Sequence, residues 1–69
     1  MAMKRFPIGP AEKLRASLDL DPEQFSTAIG FHHNSYAKAI VRGNLTYRMA
    51  REISMRYNIP LSELADGKP

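Results

Sequence analysis

The chain is divided by its own helix-breaking residues. Asp19 and Asp21-Pro22, then Gly30, then Gly43-Asn44, then Asn58 with Pro60 punctuate 69 residues, leaving room between them only for short helices. Within each stretch the apolar residues recur at intervals of three and four, which places them on one helical face. No stretch shows the apolar–polar alternation of a strand. The pattern predicts an all-α fold, a compact bundle of about five short helices.

The predicted helices follow from these signals. A first helix starts near Pro10, a residue suited to a first turn, and turns Ala11, Leu14 and Leu18 inward. Asp21 begins a second as its N-cap, with Pro22 in the first turn and Gln24 where a capping box places Glu or Gln. Phe25, Ala28 and Ile29 form its apolar face, and Gly30 ends it. A third runs from about His33 to Val41, with Tyr36, Ala37, Ile40 and Val41 as its apolar side. Thr46 caps a fourth that carries Tyr47, Ala50, Ile53 and Tyr57 and closes at Asn58, with Pro60 blocking continuation. Leu61 to Ala65 make a short fifth. Residues 1–9 read as a flexible N-terminal arm whose Phe6 and Ile8 tuck against the body, 10–65 as the folded domain, and 66–69 as a polar tail.

A chain of this length buries only about 60% of the surface its unfolded form exposes, and without cysteine it has neither disulfides nor thiolate metal sites. Stability must come from helix packing or a partner subunit. No apolar run approaches a membrane span and no apolar stretch follows Lys4-Arg5, so the expected setting is cytoplasmic, with no membrane partner. The formal charge of +3 is unevenly distributed. Between Lys38 and Arg56 five bases (Lys38, Arg42, Arg48, Arg51, Arg56) face one acid, Glu52, a local net of +4. Glu12, Asp19, Asp21 and Glu23 precede them. A basic segment of this kind attracts phosphate backbones.

Helix, tight turn at Gly30, helix is the layout of a helix-turn-helix. Ser26 supplies the small residue that lets the third helix cross closely, Gly30 the sharp turn, and Phe31 the apolar plug after it. Tyr36 holds the third helix down, and His32, His33, Asn34 and Ser35 leave its start polar. Over residues 10 to 64 the chain resembles the lambda-repressor-like group, the Cro and XRE-type helix-turn-helix regulators. LDLDPEQFSTAIGF is similar to that family's cap, second helix, glycine and plug, VRGNLT to its arginine-glycine loop, and ISMRYNIPLSEL to its closing helices. Three departures stand out. Pro22 replaces a phosphate-touching glutamine. Val41 replaces a glutamate that pairs with an arginine in the first helix, freeing Arg15 for phosphate or for another acid. The interval from Gly30 to Gly43 is one residue longer than usual.

The resemblance implies a sequence-specific regulator of double-stranded DNA, most often a repressor or autorepressor, bound as a homodimer to a palindromic operator. His33, Asn34, Ser35 and Lys38 are then the base-reading set, since Asn suits adenine and Lys suits guanine. Arg42, Asn44, Arg48 and Arg15 are the phosphate-binding set. Arg51 and Arg56 read instead as solvated or paired with Glu52 or Glu63. Met55 and Leu61 are the candidate dimer interface. The rival reading is an antitoxin-like or other helical module whose partner is a protein. Adjacent His32 and His33 point about 100° apart on a helix with no third ligand near, so no metal is expected. No serine has a His-Asp arrangement to activate it and no phosphate-cradling glycine loop is present, so neither catalysis, a cofactor nor a small-molecule substrate is expected.

Overall fold

The computed structural model describes residues 6–65. Five helices account for most of them: α1 (Ile8–Ser17), α2 (Pro22–Ala28), α3 (Ser35–Arg42), α4 (Tyr47–Tyr57) and α5 (Leu61–Leu64). The bundle expected from the punctuation is therefore present, and its boundaries have local causes. At the start of α2 the Asp21 carboxylate accepts from the Gln24 backbone N–H at 2.8 Å, while the Gln24 side chain accepts from the Asp21 N–H at 3.0 Å. This reciprocal pair satisfies two donors that a helix start otherwise leaves open. Thr46 caps α4 by accepting from Met49 N–H at 3.2 Å. Asn58, at φ 56°, turns the chain out of α4, and the Ile59 N–H returns to the Ser54 carbonyl at 3.1 Å.

Phe25, Ile29, Tyr36, Ala39, Met49, Ala50, Ile53 and Leu64 make the centre of the core. Each large side chain among them stabilises the fold by about 1.5–3 kcal/mol through burial. Phe25 is the hub. Its ring meets Tyr36 edge-on at 4.8 Å and stacks with Tyr57 at 6.1 Å, so residues of α2, α3 and α4 lock at one point.

Several boundaries and faces differ from expectation. Residues 6–9 belong to the fold: Phe6–Pro7 (β1) pairs antiparallel with Asn44–Leu45 (β2), and α1 begins at Ile8. Phe6 is buried and Ile8 donates its N–H to the Gly43 carbonyl at 3.0 Å. A segment of two residues is too short to show alternation, which is why no strand was legible. Residues 1–5, with Lys4 and Arg5, and the tail 66–69 lie outside the described residues. Helix α3 starts at Ser35 rather than His33. Leu18, expected to face inward, follows the end of α1 and is exposed as the chain reverses at Asp19, φ 60°. Val41 is 88% exposed and Tyr47 56% exposed, although both sit at positions read as apolar faces. Among the described residues no helix is long and apolar enough to cross a membrane.

Candidate nucleic-acid interface

The segment from α2 to α3 is held by one buried hydroxyl. Ser26, fully buried, donates to the His32 carbonyl and accepts from the Tyr36 backbone N–H at 3.2 Å. It thereby ties α2 to both ends of the turn that leads into α3. Gly30 makes that turn at φ 84°, where a side chain would be strained. An added Cβ would also come within 3.0 Å of the Arg56 guanidinium. Phe31 packs against the core as the plug.

A second anchor lies on the other side of α3. The Tyr36 hydroxyl donates to the Glu12 carboxylate at 2.6 Å, and Arg15 donates two bonds to the same carboxylate at 2.9 and 2.7 Å. Arg15 also reaches the Leu20 carbonyl at 2.7 Å. The Arg15 hydrogen bond holds the Glu12 carboxyl below its ordinary range, with Tyr36 assisting against the opposing effect of burial. The Tyr36 phenol is pushed upward, chiefly by burial and then by Glu12. Of the two roles the sequence left open for Arg15, the structure shows pairing with an acid: its half-buried guanidinium is engaged by Glu12 and the Leu20 carbonyl. Its partner is Glu12, one turn earlier on the same helix, a spacing that was visible in the sequence.

The remaining expected residues separate into groups. Ser35, Lys38 and Arg42 line a shallow hollow of about 180 Å³ together with Phe31, Thr46 and Met49. A neighbouring hollow of about 350 Å³, sharing Phe31 as its wall, is lined by Ile29, Gly30, His32, Arg48, Glu52 and Arg56. The two hollows bring Lys38, Arg42 and Arg48 to one surface formed by α3 and the start of α4. Lys38, Arg42 and Arg48 are exposed, and Arg42 makes only a long 3.4 Å contact with the Asn44 carbonyl. Asn44 itself is half-buried in β2.

His33 and Asn34 precede α3 instead of lying within it. Asn34 keeps a right-handed helical backbone, φ −90°, and its side chain makes no capping bond. His32 accepts the Asn34 N–H on Nδ1 at 3.3 Å. His33 stacks on His32 at 4.3 Å. Met55 is 60% exposed, whereas Leu61 is half-buried against the core. Leu61 therefore completes the monomer more than it offers an interface.

Arg56 is the residue that sequence reasoning under-used. It pairs with Glu52 at 2.9 Å, as its spacing allowed, but it also donates to the Ala28 carbonyl at 3.1 Å. That bond satisfies an open carbonyl at the end of α2 and braces the turn from α4. Nothing in the local pattern around Arg56 signals a contact 28 residues away. Among the described residues no group of three His, Asp or Glu gathers as metal ligands would. Comparison with protein-family models, curated proteins and solved structures finds no match.

Proposed function

We propose that the protein is a sequence-specific, double-stranded-DNA-binding transcriptional regulator that presents α3 to the major groove. It acts by binding rather than catalysis, as a repressor or autorepressor, and a homodimer on a palindromic operator is the assembly that suits it. The observation that carries this reading is the pairing of a rigid base with an open top. Ser26, Glu12 and Arg56 hold the turn and α3 from beneath, while Asn34, Lys38, Arg42 and Arg48 remain exposed and make no ion pair among the described residues. Asn and Lys suit base edges, and the arginines on the α3–α4 surface suit phosphates.

Binding to a random duplex library, followed by gel shifts across a salt series, tests it. Affinity should fall steeply with salt while one sequence stays preferred. Asn34→Ala should relax preference at one base position by roughly 1–3 kcal/mol. Arg42→Ala should weaken all duplexes alike and lower the salt slope by about 1. A protein that binds no duplex, or binds all equally, does not have this function.

A further inference from the structure

Val41 is the most exposed large apolar side chain among the described residues, and its position on α3 is specific. The buried side of α3 is Tyr36 and Ala39. Each residue advances about 100° around a helix, so Val41, seven residues after Asn34, lies only about 20° away from it on the outward side. Lys38 lies about 60° from Val41 on that same side. Asn34 shares the helical backbone conformation, so the three form one stripe along the exposed face. They are separated by a rise of about 10 Å from Asn34 to Val41, the length of about three stacked base pairs.

An isolated exposed valine is ordinary on most surfaces. Here it stands between two cations, with Lys38 a turn before it and Arg42 beside it. An apolar protein partner covering Val41 would also strip water from both charges without pairing them, which is costly. A DNA duplex offers the opposite combination: phosphates for the cations and, projecting into the major groove, one apolar group among its bases, the thymine C5-methyl. Resting on the DNA-binding reading above, we propose that Val41 is a specificity-determining residue that packs on the methyl group of a thymine about three base pairs from the base met by Asn34. The expected readout is adenine, guanine and a thymine methyl along one helix face.

The test removes only that methyl. A preferred duplex is first selected from a random library, and each thymine in it is then replaced singly by deoxyuridine. Wild-type protein should lose affinity about threefold to fivefold at one position, the effect of uncovering one methyl group. Val41→Ala, which leaves the core untouched, should bind the thymine duplex more weakly by a similar factor and be indifferent to the replacement there. A wild type indifferent at every thymine, or a loss that persists undiminished in Val41→Ala, overturns the role of Val41 while DNA reading stands. A selection that returns no preferred sequence overturns the DNA reading itself. Sedimentation without DNA completes the test: if Val41→Ala weakens self-association, a second copy covers Val41 and the proposal fails.

Discussion

The two sides of α3 differ in kind. Beneath it, Tyr36 is tied at both ends, its backbone N–H to Ser26 and its hydroxyl to Glu12. Among the described residues every buried side-chain polar atom has a partner. On its outward side, Asn34 and Lys38 make no side-chain hydrogen bond within the described protein, and Val41 lacks apolar cover. The contrast shows a division of labour: polar locks on the inner side set the height and tilt of the helix, and the outer side is left unspent. A reading surface needs this arrangement, because side chains address base edges reproducibly only when the helix beneath them is immobile.

Substitutions can break or sharpen the contrast. The largest effect belongs to Phe25→Ala, which removes the ring shared by Tyr36 and Tyr57. A loss of about 3–5 kcal/mol is expected, comparable to the whole stability of so small a domain. Urea denaturation should find the variant largely unfolded at 25 °C; a midpoint near that of wild type would mean that α3 is held by something other than this cluster. Ser26→Ala comes next. It leaves the Tyr36 N–H and the His32 carbonyl without their partner, at a cost of about 1–3 kcal/mol. Hydrogen exchange should show the Tyr36 amide losing protection ahead of the rest of the core.

The Arg15–Glu12–Tyr36 network predicts two pH limbs, the acid one set chiefly by Arg15 on Glu12. Glu12 is depressed in the folded chain, so its contribution is complete above the unfolded value of about 4.3 and is lost as pH falls through the lower folded value. Urea midpoints of wild type should therefore drop more in strong acid than those of Glu12→Gln. Tyr36 is shifted upward, so the unfolded chain ionises first, near pH 10, and stability should decline above that pH. Tyr36→Phe should remove the alkaline decline and cost about 1 kcal/mol at neutral pH. Equal limbs in wild type and both variants would show the network to be energetically idle.

The smallest effect is the most diagnostic. Lys38→Ala should change stability by less than about 0.5 kcal/mol, measured by the same urea titration, while weakening duplex binding. If it destabilises the fold as Ser26→Ala does, the outer side is structural after all and the contrast dissolves.

Much of this molecule was legible in one dimension. The capping box at Asp21, the turn at Gly30, the caps at Thr46 and Asn58, and the inward spacing of Phe25, Ile29, Tyr36, Ala50 and Ile53 are local codes. They depend on residues a few positions apart, whose mutual geometry the helix dictates. What the chain does at long range was decided only on folding. Glu12 gained its second partner only when α3 carried the Tyr36 hydroxyl to it across 24 residues of sequence. Phe6 and Pro7 became a strand because Asn44 and Leu45 arrived beside them. Val41 moved from the presumed core to the outer stripe because burial depends on which face a neighbour covers, and hydrophobicity alone does not say where that neighbour will be.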